Sequence, residues 1–237
     1  MNDIDILKSA LSGNELEIAL EKYKSGIPTA YILGEWEFFG DRYYIDENCL
    51  IPRCDTERVV EKIIGNMQDG NSIADLCTGT GCIVISVLKR KPKSKGIAVD
   101  ISENAVRIAR KNAVLNGVEN RLNILCDNIF IFDLGNEKFD IISSNPPYIP
   151  TSDLSKLDEY VKREPSIALD GGADGMDFYK FIVKHYQKNL KENGKFIFEI
   201  GFDQEEKIKA VATENNFTCT VTKDYSGNPR VALLQKQ

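Results

Sequence analysis

The chain has 237 residues, 42% of them hydrophobic and 28% charged, and carries a formal net charge of -6 at pH 7. Such a chain can bury the core of one large domain with an appendage, and its acidic balance weighs against a main role in non-specific binding to phosphate backbones or anionic membranes. Six cysteines form no CxxC pair, the single histidine has no ligand-like neighbour and no apolar run approaches the roughly 18 residues of a membrane span, so neither a transition-metal site nor a membrane partner is expected.

In chain order, the opening MNDIDILKSAL lacks the basic end and long apolar core of a signal peptide, which makes reduced thiols in a cytoplasm the simplest reading. The stretch NELEIALEKYKSG then predicts a short helix, with Asn14 as N-cap and Gly26 as stop. Tyr31 to Ile51 is rich in aromatics and predicts a β-hairpin about a Gly40-Asp41 turn, leading into a helix over IPRCDTERVVEKII capped at Asp55. After QDGNS the pattern alternates. SIADLC, GIAVD, RLNILC, FDIISS and GKFIFEI predict strands. CIVISVLKRK, SENAVRIARKNAVLNG, GMDFYKFIVKHYQKNLKENG and DQEEKIKAVATENN predict helices between and after them. Strands alternating with helices imply βαβ units and a doubly wound, mostly parallel α/β sheet. His185 falls on the polar flank of one of these helices. The tail FTCTVTKDYSGNPRVALLQKQ has no helix between its two strands and predicts an antiparallel hairpin at one side of the sheet.

Four strand ends carry polar residues. The first runs into DLCTGTGC, Asp75 to Cys82, where Gly79 and Gly81 let backbone approach a ligand at a helix N-terminus. The spacing is not G-x-G-x-x-G, so a dinucleotide phosphate site fits poorly, and a glycine turn serving packing alone is the rival reading. Asp100 ends the second strand, where a carboxylate can accept both ribose hydroxyls or can cap the next helix in competition with Ser102. Asp127 and Asn128 end the third, suited to an adenine edge or to a turn. The fourth ends in SSNPPYIP. There the Asn145 side-chain oxygen and the Pro146 carbonyl can accept the two hydrogens of a planar NH2. Pro146 and Pro147 stiffen the backbone around these acceptors, and Tyr148 offers a flat face for stacking. A corner that selects a planar nitrogen and aims it at an electrophile in the neighbouring loops fits nitrogen methylation from S-adenosylmethionine, with orientation and fixed dipoles carrying the rate.

From about Pro28 onward the chain resembles the bacterial protein-(glutamine-N5) methyltransferases of peptide chain release factors, the PrmC/HemK family. PTAYILGEWEFFG, LIPRCDTE, DLCTGTGC, AVDIS, SNPPYI, EPSIALDGGADGMDFY, FEIGFDQ and DYSGNPRVAL carry the likeness. Asn-Pro-Pro-Tyr alone is shared with adenine methyltransferases of nucleic acids. LIPRCDTE and REPSIALDGGADGMDFY make the likeness specific. The resemblance implies a seven-stranded S-adenosylmethionine-dependent methyltransferase fold acting on the glutamine of a Gly-Gly-Gln loop in class 1 release factors. It places Asp75, Cys77, Thr78, Gly79, Thr80, Gly81, Asp100, Ile101, Asp127, Asn128 and Asn145 around the cofactor. It places Asn145, Pro146, Pro147 and Tyr148 on the glutamine, and Glu164 and Pro165 along the substrate channel. Residues 1–54 would form a short helical segment and hairpin linker, a reduced N-terminal region, and residues 55–237 the catalytic domain. Two departures stand out. Cys54 replaces a usual Pro, and Cys77 stands where the family usually has Gly: a left-handed backbone or a close cofactor there would make its Cβ costly, whereas a β-like backbone, the reading favoured because the sequence carries the residue, would tolerate it. Two rival readings remain: an adenine N6 methyltransferase gripping a flipped-out base, which the acidic charge disfavours, and a cofactor-binding but inactive interaction protein.

Overall fold

The computed structural model describes residues 2–237. Two helices, α1 (Asp3–Ala10) and α2 (Gly13–Lys24), open the chain. The Asn2 side chain accepts the Asp5 N–H at 2.9 Å and caps α1. Asn14 does not cap α2. Gly13 takes φ +57° and turns the chain into the helix two residues earlier, leaving Ser12 as the cap residue. A single helical turn, α3 (Thr29–Leu33), occupies the start of the segment predicted as hairpin and stops at Gly34 in the left-handed region. The hairpin itself is shorter, β1 (Glu35–Phe38) and β2 (Asp41–Tyr44). Its two turn residues are Phe39 and Gly40, not Gly40 and Asp41. Both have positive φ (53° and 74°), as a two-residue hairpin turn requires. Phe39 is held there by its N–H to Glu57 Oε1 at 2.7 Å and by the Arg90 guanidinium over its ring. A 3-10 turn over Cys54–Thr56 leads into α4 (Glu57–Asn66). Asp55 therefore does not cap that helix, and its carboxylate faces Arg230 at 3.5 Å instead.

The rest is a seven-stranded sheet built from β3 (Ser72–Leu76), β4 (Lys95–Asp100), β5 (Leu122–Cys126), β6 (Phe139–Ser144), β7 (Leu190–Glu199), β8 (Phe217–Lys223) and β9 (Pro229–Lys236). The spatial order is β5-β4-β3-β6-β7-β9-β8, with β9 antiparallel to both of its neighbours and all other pairs parallel. Helices α5 (Cys82–Arg90), α6 (Glu103–Leu115), α7 (Asp177–Tyr186) and α8 (Glu205–Glu214) connect the strands. The predicted helix ending near Gly194 stops at Tyr186, because Leu190 already begins β7.

Successive strand residues feed opposite faces. Ile73, Ile141 and Ile197 pack with Val60 and Ile63 of α4 and Ile85 of α5. Their chain neighbours Ala74, Ile142 and Phe198 pack with Tyr179, Ile182 and Val183 of α7 and Ile208 of α8. Both faces are covered, so the central strands read as continuous apolar runs rather than alternating ones. His185 is half-buried with its ring stacked on Phe181 at 4.9 Å, a closer tie to the core than a polar flank implies. The chain order reverses between β3 and β6, and at such a switch point the carboxyl ends of the strands diverge and leave a crevice.

Candidate active site

The loop after β3 is shaped by three left-handed residues, Cys77 (φ 58°), Gly79 (φ 56°) and Gly81 (φ 79°). Cys77 does not sit in the tolerant extended backbone expected of it. The Thr78 N–H reaches across to Val99 O at 3.1 Å and forces the turn at Cys77, whose thiol is pushed up by burial against the core. At Gly81 the left-handed backbone disfavours any side chain, and a Cβ would also push on Ile85 Cδ1 at 2.8 Å, at the entry into α5. Asp75 stands behind the loop, 1% exposed, and does not reach the crevice. Its carboxylate accepts Thr78 Oγ1 at 2.6 Å and Ser143 Oγ at 2.7 Å. Burial pushes it up to about 6, against the pull of those two hydroxyls.

Asp100 accepts the Gly79 N–H at 2.8 Å on one oxygen and the Ser102 N–H at 3.0 Å on the other. The helix cap is Ser102, whose Oγ accepts the Ala105 N–H, so Asp100 is not spent on capping. An ionised carboxylate has about four acceptor positions. Each oxygen takes one of these two bonds and retains a further acceptor position, and Asp100 lines the crevice together with Ile101, Asp127 and Asn128. Burial holds the Asp100 carboxyl above its ordinary range. Asp127 and Asn128 also make a turn, with Asp127 Oδ1 accepting the Asn128 N–H and Asn128 Oδ1 accepting the Phe130 N–H.

The Asn-Pro-Pro-Tyr corner follows β6. Asn145 Nδ2 points at Thr56 Oγ1, 3.5 Å away, while its Oδ1 is buried without a hydrogen-bond partner. Asn145 and Pro147 line the crevice; Pro146 and Tyr148 do not. The Tyr148 ring is turned inward, with its hydroxyl donating to Glu199 Oε1 at 3.4 Å, so it does not present the expected stacking face to the crevice. Glu164 and Pro165 also lie off this wall. Glu164 is buried, accepting the Ile51 N–H at 3.2 Å and pairing with Arg53 at 2.6 Å, and both of its oxygens are thereby occupied.

These strand ends enclose one cavity of about 330 Å³, running from the residue 77–80 loop past Asp100 and Asn128 to Asn145. That size lies within the usual range for small-molecule sites. Sequence reasoning missed several of its walls. Thr56, Arg53, Phe178 and Ile167 all contribute. Thr56 sits in LIPRCDTE, a run singled out for its likeness and given no chemistry. The Asp100 carboxylate on the wall and the open space over Gly79 suit an adenosine with an amino acid tail, and the orphaned Asn145 oxygen is left to take a donor.

Residues 56–162 match the family model described as methyltransferase small domain. Ribosomal protein L11 methylase from Lactobacillus delbrueckii subsp. bulgaricus superposes with a TM-score of 0.60 at 22% identity, over 85% of this chain and 90% of that one, a likeness in fold. The sheet order and the superposition show a Rossmann-like fold, and the family model that matches residues 56–162 describes the class as methyltransferase. The release factor glutamine methyltransferase of Aquifex aeolicus is 39% identical over 219 residues, spanning 92% of this chain and 78% of the relative. That of Fusobacterium nucleatum is also 39% identical, over 93% of this chain and 63% of its own length. The chain belongs to the release factor glutamine methyltransferase family.

Proposed function

We propose that this chain transfers a methyl group to the side-chain amide nitrogen of the glutamine in the Gly-Gly-Gln loop of class 1 peptide chain release factors, acting in the cytoplasm. The observation that supports this best is Asn145 Oδ1, a buried acceptor with no partner on the wall of the cavity. An unpaired buried acceptor is costly, and a primary amide brings the N–H it lacks. Asn145 Oδ1 takes one hydrogen of that amide on the cavity wall that it shares with the loop of residues 77–80, while Pro146, which the sequence offered as the second acceptor, lies off that wall.

S-adenosylmethionine supplies a sulfonium methyl. Asp100 holds its ribose hydroxyls, Asp127 and Asn128 meet the adenine edge, and the Thr78 to Thr80 backbone receives the amino acid end. An amide nitrogen is a weak nucleophile because its lone pair is delocalised. A fixed acceptor, Asn145 Oδ1, raises its electron density and orients it, work that needs positioning rather than a strong base. Residues 55–237 form the catalytic unit in this reading and residues 1–54 help to present the protein substrate.

The deciding experiment is isotope-labelled methyl transfer from S-adenosylmethionine to a purified release factor, with DNA and RNA alongside. One added methyl on the Gly-Gly-Gln glutamine, located by peptide fragmentation, is the expected result. Labelling of adenine with an unmodified glutamine would overturn it, as would cofactor binding without any turnover.

A further inference from the structure

Behind the acceptor corner lies a buried carboxylate that does not touch the cavity. Glu199 ends β7 and is 2% exposed. Ser144 pairs with Phe198 in the parallel register, so Glu199 stands beside Asn145 one step further along. Its Oε2 accepts Thr56 Oγ1 at 2.6 Å and its Oε1 accepts the Tyr148 hydroxyl at 3.4 Å. One carboxylate thereby engages both ends of Asn145–Tyr148.

Hydrogen-bond direction follows from the chemistry of the groups. Burial raises the Glu199 carboxyl, while the Thr56 hydroxyl, the Arg230 charge and the Tyr148 hydroxyl favour its ionised form, in which it can only accept; Thr56 has a single O–H. Once that proton is given to Glu199, Thr56 offers Asn145 only lone pairs. Turning Asn145 Oδ1 toward Thr56 would set acceptor against acceptor. The NH2 side must therefore face Thr56, and the oxygen is left turned away without a partner, as observed.

We propose that Glu199 is a positioning residue that sets the orientation of the Asn145 carboxamide through Thr56, presenting oxygen rather than NH2 to the substrate. This rests on the reading that Asn145 Oδ1 holds the acceptor amide. With Gln at position 199, an NH2 group can donate to Thr56, whose O–H is then free to bond Asn145 Oδ1. The carboxamide loses its reason to point one way, and a flipped Asn145 would offer a donor to a donor.

The test is single-turnover methylation of a release factor at saturating S-adenosylmethionine by Glu199→Gln, Thr56→Val, Thr56→Ser and the Glu199→Gln/Thr56→Val double variant, with Asn145→Ala as reference. The expected result is a fall in methylation rate on the order of tenfold or more for Glu199→Gln, with cofactor affinity by calorimetry within about twofold of wild type. Thr56→Val should fall comparably, Thr56→Ser should recover most of the loss because it keeps the hydroxyl, and the double variant should be no slower than the worse single. An unchanged rate in Glu199→Gln, or equal losses in Thr56→Val and Thr56→Ser, would overturn the proposal. If Glu199→Gln does not fold, the Val and Ser pair decides alone. Asn145→Ala separates the two levels: if it keeps full rate, the role of Asn145 fails and the relay with it, whereas its loss beside an active Thr56→Val removes only the relay.

Discussion

Asp75 carries a cost that depends on pH. Its carboxyl is pushed up to about 6 by burial, from 3.8. A raised acid binds its proton more tightly in the folded chain, so its contribution is fully favourable below about pH 4 and is lost as pH rises through about 6. Asp75→Asn has no proton to release. Its stability relative to wild type should therefore rise by about 3 kcal/mol between pH 4 and pH 7, read from urea unfolding at several pH values, and a constant difference would contradict this. Cys77 offers a second test. Left-handed backbone costs a residue with a Cβ about 1–2 kcal/mol, and Cys77 has φ 58°. Both Gly and Ala remove the sulfur, but only Gly removes the strain. Cys77→Gly should thus be more stable than Cys77→Ala by about 1 kcal/mol in thermal or urea unfolding, the reverse of their usual order. The family's usual Gly was the signal for such a backbone, and the cysteine itself argued against it, whereas the polar strand ends Asp100, Asp127 and Asn145 lie where alternation and chain order placed them.

At the scale of elements, the run DGGADG was legible as a likeness but not as a device. Its chain pairs with the acceptor corner: Ile149 N–H donates to Leu169 O, and Gly171 N–H donates back to Ile149 O at 2.8 Å. A Cβ at Gly171 would lie 2.7 Å from Tyr148 Cα, and one at Gly175, where φ is 73°, would lie 2.3 Å from Tyr148 O. Gln204 closes the arrangement by donating to Tyr148 O and Gly175 O. The glycines are there because another backbone occupies their side-chain space. Gly175→Ala should cost more than about 2 kcal/mol and slow methylation. Gly227→Ala is the control, since it has a positive φ with nothing within 4 Å and should cost only the backbone strain. Equal losses would refute the packing argument. The central strands β3, β4 and β6 were readable because burial on both faces makes continuous apolar runs, whereas the polar opening of β7, Lys191 to Asn193, read as the end of a helix. The hairpin was misplaced because Phe39, not a turn-forming residue, occupies its first turn position.

Across the whole molecule, the contacts that finish the site join segments that no local pattern links. Thr56 meets Glu199 across 143 positions and Arg53 meets Glu164 across 111. The Glu164 pair belongs to a wider tie, in which Arg163 donates to Ser25 O at 3.3 Å and Tyr23 packs near Tyr160. The opening helices are thereby fastened to the segment that follows Asn-Pro-Pro-Tyr. Glu164→Gln should then cost about 1–3 kcal/mol of stability and leave S-adenosylmethionine affinity unchanged, by urea unfolding and calorimetry; weakened cofactor binding at intact stability would place Glu164 in the site after all. The interior position of β9 has a further result, which concerns time. β9 comes last of the nine strands in sequence yet lies between β7 and β8. During synthesis, β7 must wait as an unpaired edge until that hairpin leaves the ribosome and inserts beside it. Non-local pairing of this kind is slow. Glu199, at the end of β7, is paired with Val231 of β9, so the backbone on that side of it is completed only when the last strand of the chain has been made.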